Sequence, residues 1–297
     1  MSDSSATRAT TVSRIPDAFV GFVDDAAIFP PGDAPLPGAL AAHTKRRQEA
    51  WSDLVGAFVV RDTDLPALRG TEAPLAVVST GGAGQLDGPL RLADRLGLRV
   101  SALEIALRDL DDPAGNARRV IAALDHAHSE TTVPAELQVF VELPQGGTSH
   151  GWLSAADEIA ARDDLGLRLK FRTGGVHADL FPSPEQLASW IEAALDRETA
   201  FKCTAGLHHA VRHTDEATGF THHGFLNVLA ATRASLDGGD TLAVLGEQDP
   251  VALVAALPDL GTLARTRRWF GSFGCCEVRE PLDDLVNLGL VPSEESR

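Results

Sequence analysis

Eight short runs of apolar and β-branched residues recur along the chain, interspersed with stretches whose apolar positions return every three or four residues. The runs cover Ala18 to Val23, Leu54 to Val60, Leu75 to Thr80, Ser101 to Leu107, Leu137 to Leu143, Leu167 to Thr173, Ala200 to Gly206 and Trp269 to Gly274. Most are continuously apolar rather than alternating, as parallel strands covered on both faces are. The stretches between them predict helices over Pro37 to Ala50, Pro89 to Leu96, Ala114 to His128, Leu153 to Ala161, Pro184 to Asp196, Phe225 to Leu236, Pro250 to Leu257 and Pro281 to Leu288. At one of them Ser183 stands as a cap, Pro184 in the first turn and Glu185 near the positive end of the helix dipole. Strand and helix alternate eight times without a break in composition. That predicts an α/β fold, a single-domain (β/α)8 TIM-type barrel over residues 15–297 behind a flexible segment 1–14, with an open doubly wound sheet as the alternative. Neither a G-x-G-x-x-G fingerprint nor a G-x-x-x-x-G-K-[ST] loop occurs, which weakens the nucleotide-binding open sheet.

Composition narrows the function classes. At 297 residues and 44% hydrophobic content the chain can bury one large core. Its net charge of -16 argues against a broad nucleic-acid or anionic-membrane surface, since that many carboxylates repel phosphates from most directions. No apolar stretch is long enough to span a bilayer and the N-terminus lacks the apolar core of a secretory signal, so a cytoplasmic protein is expected. Cys203 and the adjacent Cys275 and Cys276 form neither a disulfide framework nor a spaced zinc pattern, and read as small thiols in a reducing compartment.

In such a barrel the reactive groups sit at the C-terminal ends of the strands. The strand ends offer Asp24, Asp25, Arg61, Asp62, Glu104, Glu142, Lys170, Arg172, Lys202, His208 and Ser272. Lysine draws the eye, because the chain has only Lys45, Lys170 and Lys202 and uses arginine elsewhere. Lys170 shares strand parity with Arg172, and Lys202 with Thr204 and Gly206, so each set faces one side of its strand. Two inward lysines in an apolar cup would lower each other's pKa, and a free amine can condense with a carbonyl to a Schiff base that activates the adjacent carbon–carbon bond. The plainer reading makes each lysine the ion-pair partner of a carboxylate such as Glu104 or Glu142.

The two lysine segments resemble those of the 2-deoxyribose-5-phosphate aldolase group of class I aldolases. That family carries K-[TS]-S-T-G on its sixth strand, where "KFRTGG" offers Lys170, Thr173 and Gly174. Its seventh strand carries K-x-[AS]-G-G-[IV]-R, where "KCTAGLH" offers Lys202, Gly206 and Leu207. Its eighth strand holds substrate phosphate through a glycine and serines, and "RWFGSFG" offers Gly271 and Ser272. The resemblance implies a (β/α)8 barrel lyase in which Lys170 forms the imine, Lys202 tunes it and Glu104 stands for a proton-handling aspartate, without a cofactor. Arg172, His208 and the segment "DDAAIFPPG" depart from the pattern, and Arg172 could instead take a carboxylate in bidentate fashion.

Other residues complete the expected site. Asp24 and Asp25, on a proline-rich loop folded over the mouth, are expected to touch substrate together with Glu142, Arg172, Gly174, Gly206, His209, Gly271 and Ser272. His208 is expected to act as general acid or base. The partners expected are a small anionic carbonyl-containing substrate and, at most, further copies of the chain. The alternative is a metal-dependent barrel enzyme, an isomerase or hydrolase. It would hold a divalent ion on His208, His209 and His223 of the histidine-rich segment, with strand-end carboxylates. A barrel that binds a ligand without turning it over would look similar.

Overall fold

The computed structural model describes residues 15–129 and 136–293. Eight parallel strands close into a barrel: β1 (Val23–Asp25), β2 (Val55–Arg61), β3 (Leu75–Val78), β4 (Val100–Ala106), β5 (Gln138–Glu142), β6 (Leu167–Arg172), β7 (Phe201–Thr204) and β10 (Phe270–Cys275). They follow one another around the wall in chain order, with β10 closing against β1. A two-stranded antiparallel hairpin, β8 (His213–Thr214) and β9 (Thr221–His222), interrupts the connection after β7. The helices are α1 (Leu36–Arg46), α2 (Asp87–Leu96), α3 (Pro113–Ser129), α4 (His150–Ala160), α5 (Pro184–Asp196), α6 (Phe225–Leu236), α7 (Thr241–Gly246), α8 (Pro250–Ala256), α9 (Leu260–Thr266) and α10 (Arg279–Asn287). The expected segment 1–14 lies outside the described residues. Among the described residues no helix is long and apolar enough to cross a membrane.

The alternation of side chains splits the apolar residues into two bodies. Outward residues of the strands pack on the helices: Phe171 of β6 lies 6.3 Å from Trp152 of α4, 5.7 Å from Trp190 of α5 and 5.0 Å from Phe201 of β7, centroid to centroid. Inward residues of β2 to β5 form a smaller cluster of Ala57, Val59, Ala76, Ala102 and Phe140. Three alanines there leave the barrel axis with room that the long polar side chains of β1, β4, β6 and β7 occupy.

Helix α5 starts as expected, with Ser183 Oγ accepting from Gln186 N and Gln186 Oε1 accepting from Ser183 N. The first strand differs. The run ending at Val23 is not the strand: Asp17–Phe19 form a 3-10 turn, Gly21 takes a left-handed φ of 59°, and Phe22 packs edge-on against Phe225, Phe270 and Phe273. Arg267 ties this turn to β10 by donating to the carbonyls of Ala18, Val20, Phe270 and Gly271 while lying over the Phe22 ring. The strand itself is Val-Asp-Asp, polar because its inward member has a charged partner across the barrel.

Candidate active site

Parity turns Asp24, Glu104, Glu142, Lys170, Arg172 and Lys202 into the barrel. Register then sets them side by side, with Glu142 level with Lys170 and Lys170 level with Lys202 on adjacent strands. The result is one unbroken line of ion pairs. Lys202 Nζ donates to Asp24 Oδ2 at 2.6 Å and to Glu104 Oε1 at 2.6 Å. Lys170 Nζ lies 2.7 Å from Glu104 Oε2 and 2.9 Å from Glu142 Oε2. Arg172 Nε closes the line on Glu142 Oε1 at 2.8 Å. Three carboxylates thus meet three cationic side chains and the formal charges cancel, the condition for tolerating so many ions away from water.

The lysines therefore do converge, but on Glu104 rather than on each other. The expectation that they depress one another is corrected. Burial lowers the basicity of Lys170, but Glu104 and Glu142 outweigh it and its pKa is raised above the ordinary 10.5. Burial likewise lowers Lys202, and Asp24 and Glu104 outweigh it to leave this amine raised further. Glu104 shows the reciprocal effect: burial pushes its carboxyl up, while Lys170 and Lys202 bring it down to about 2. Glu142 is lowered too, by Lys170 and Arg172 against its own burial. The ion-pair reading describes the resting interior.

Two cavities flank this line. The mouth cavity, about 360 Å³, lies at the C-terminal strand ends and is lined by Lys170, Glu104, Glu142, Arg172 and His208. Ala26, Phe29 and Pro30 of the proline-rich loop close over it, as expected. A second cavity, about 640 Å³, opens at the opposite end and is lined by Asp24, Gly271, Ser272 and Arg267. Despite its size it holds neither lysine.

Several expected contacts move accordingly. Asp24 lies within β1 and approaches Lys202 from the floor, accepting also from Ala57 N and Ser272 Oγ. Asp25, the next residue, points outward to the shell, where His43 Nδ1 at 2.9 Å and Arg46 at 2.6 Å hold it. Gly271 and Ser272 stand at the floor, and Gly274 and Cys276 are the β10-side residues that face the mouth. Gly174 and Gly206 are absent from the cavity wall. They let two strand ends touch, since a Cβ on Gly174 would stand 2.7 Å from Gly206 Cα and one on Gly206 2.6 Å from Thr173 O.

The histidines also separate. His208 lines the mouth, with Nδ1 2.7 Å from Glu280 Oε2. His209 turns to Asp284, His213 and His222 stack across the hairpin, and His223 is buried between Pro182 O and Arg212. His208, His209 and His223 are therefore not gathered into one ligand set. Among the described residues, the His, Cys, Asp and Glu side chains placed to share an ion are His208, Cys275 and Glu280. Burial raises all three thiols, Cys276 to about 11, so none is poised as a thiolate nucleophile.

Two mouth residues escaped sequence reasoning. Ser79 is buried on the cavity wall, and among the described residues its Oγ has no hydrogen-bond partner. Arg108 brings a second guanidinium to the cavity. Ser79 carries a signal in retrospect, as a polar residue inside the run Leu75 to Thr80 and one step past the last residue of β3.

No protein-family model matches the chain, and no curated protein matches it in sequence. Solved structures do match. The deoxyribose phosphate aldolase from Aeropyrum pernix, a tetramer, aligns with a TM-score of 0.51 at 11% identity, over 94% of this chain and 96% of that one. The chain shares the (β/α)8 barrel fold of that structure. A second structure, the aldolase QR15, aligns with a TM-score of 0.51 at 12% identity over 93% of this chain and 99% of that one. At such identities the likeness to deoxyribose-phosphate aldolases is one of fold.

Proposed function

We propose that the protein is a lyase of the class I aldolase type, in which Lys170 forms a Schiff base with a small anionic carbonyl metabolite. One observation carries the assignment. Lys170 lines the mouth cavity, whereas Lys202 is 1% exposed, does not line that cavity and lies between Asp24 and Glu104. In this reading Lys170 passes a proton to a neighbouring carboxylate and its free amine adds to the substrate carbonyl. Water leaves, and the iminium nitrogen accepts the electron pair of the breaking carbon–carbon bond. Lys202 holds Glu104 in place and keeps it ionised. Arg172 and Arg108 supply the positive charge that favours an anion. Among the described residues the two terminal nitrogens of Arg172 have no hydrogen-bond partner, leaving its fork open to a carboxylate or phosphate. A cavity of about 360 Å³ suits a small metabolite.

The chain makes the test clean, because its three lysines are the exposed Lys45 and the buried Lys170 and Lys202. The protein is incubated with small anionic aldehydes and ketones, reduced with borohydride and digested for mass spectrometry. A reduced adduct on the Lys170 peptide, absent from Lys170→Met, is expected. Label confined to Lys45 or the N-terminal amine, or none, overturns the reading.

A further inference from the structure

Beside the mouth, and outside the lysine line, three side chains from separate elements meet with a mixed donor set. His208 follows β7, Cys275 ends β10 and Glu280 stands in the first turn of α10. Nδ1 of His208 lies 2.7 Å from Glu280 Oε2 and 3.8 Å from Cys275 Sγ, and all three ligand atoms fall within 4.8 Å of one another. Bonds of about 2.0–2.3 Å in a tetrahedral zinc site place ligand atoms roughly 3.3–3.8 Å apart. The imidazole–sulfur separation already fits, and the imidazole–carboxylate pair needs to open by less than about 1 Å.

The chemistry of the group is selective. One thiolate and one carboxylate neutralise a divalent cation, and a sulfur, nitrogen and oxygen set suits zinc far better than magnesium or calcium. Parity explains how it arises: Gly274 faces the barrel, so Cys275, the next residue of β10, faces the shell where α10 begins. Cys276 lies at the other ring nitrogen, 3.8 Å from Nε2, and cannot bind the same ion. It stands where a metal-bound histidine keeps an outer partner that fixes its ring. Cys275 is 1% exposed, while the Glu280 side chain is 40% exposed and leaves a route for an ion to enter.

We infer that His208, Cys275 and Glu280 form a zinc site with water in the fourth position, clamping the β7 loop, the end of β10 and the start of α10 together at the rim of the mouth. It uses none of the lysine and carboxylate groups of the proposed imine chemistry. Release of the Cys275 proton accompanies binding, and the ion replaces the imidazole–carboxylate hydrogen bond.

The full chain, stripped of metal, is titrated with Zn2+ against a chromophoric chelator and separately loaded with Co2+. One Zn2+ per chain is expected, and the cobalt form should show a thiolate-to-metal charge-transfer band. Cys275→Ser should abolish the band and weaken binding more than about 100-fold, and Cys276→Ser should keep the band and weaken binding by no more than about 10-fold to 100-fold. Glu280→Gln changes a half-exposed side chain and covers the case in which Cys275→Ser fails to fold; it should weaken Zn2+ binding by more than about 10-fold. Absence of stoichiometric Zn2+ overturns the inference. So does Zn2+ that binds equally well to Cys275→Ser and Glu280→Gln.

Discussion

Replacing Glu104 with glutamine keeps the side chain's shape and removes the charge that touches both lysines. The folded chain holds this carboxyl at about 2 against an ordinary 4.5. A depression of that size corresponds to about 3 kcal/mol of stability at neutral pH. It matches the ~3–5 kcal/mol lost when one partner of a buried ion pair is removed. The sign follows from the direction: a depressed carboxyl contributes fully above its unfolded value of 4.5, and the contribution is lost as pH falls through about 2. Protonated Glu104 closely resembles glutamine, so the two proteins should converge in acid. Urea unfolding followed by tryptophan fluorescence should show Glu104→Gln less stable by about 3 kcal/mol at neutral pH, by about 2 kcal/mol near pH 3.5, and nearly level with the wild type toward pH 2. A neutral-pH difference below about 1 kcal/mol, or one constant with pH, would refute the bridging role of Glu104.

His223 gives a second acid-limb prediction. Burial, with Arg212 adding to it, holds this imidazole down to about 4 from 6.5, so its stability is full above pH 6.5 and is lost as pH falls toward 4. Across that window the wild type should lose up to about 3 kcal/mol that His223→Gln does not lose, and parallel urea midpoints would count against it. Ser79→Ala removes a buried hydroxyl that has no partner among the described residues. The ligand-free variant should be as stable as the wild type or more stable by up to about 1 kcal/mol, and a loss above about 1 kcal/mol means that Oγ is bonded in the resting protein.

The barrel was legible because its strands are buried on both faces and so read as apolar runs, and because caps such as Ser183 mark where helices start. Strand parity likewise set Lys170 and Arg172 on one face of their strand from sequence alone, and the structure turns that face, with Lys202 beside it, into the barrel. What parity cannot supply is the partner. Asp24 meets Lys202 across 178 positions and Glu104 meets it across 98, so nothing local distinguishes a lysine neutralised by two carboxylates from one pressed against another ammonium. The same blindness displaced β1, whose polar sequence makes sense only with Lys202 opposite. The histidines failed for the converse reason: neighbours in sequence, they are sent by the hairpin and α6 to the mouth, to Asp284 and into the shell. Helices α7, α8 and α9 are all short and begun by an aspartate cap, Asp240, Asp249 and Asp259, but only α8 carries a proline, Pro250, in its first turn, and α7 and α9 without that mark went unread.

The protonated interior also sets the order of events in the proposed reaction. Lys170 yields an amine only when a facing carboxylate becomes the better base. Glu104 keeps Lys202 on its other oxygen whatever enters the mouth, so it stays ionised. Glu142 differs, because its second partner is Arg172, whose side chain is 33% exposed and opens on the cavity. An anionic substrate that draws the guanidinium toward itself leaves Glu142 facing Lys170 alone, and a carboxylate that loses a neighbouring cation gains proton affinity. The proton then passes along the direct contact between Lys170 Nζ and Glu142 Oε2, whose heavy atoms are 2.9 Å apart. In the proposed reaction a neutral carbonyl would leave Arg172 on Glu142 and the amine protonated, so the anionic group would serve as the trigger for imine formation as well as the handle for binding.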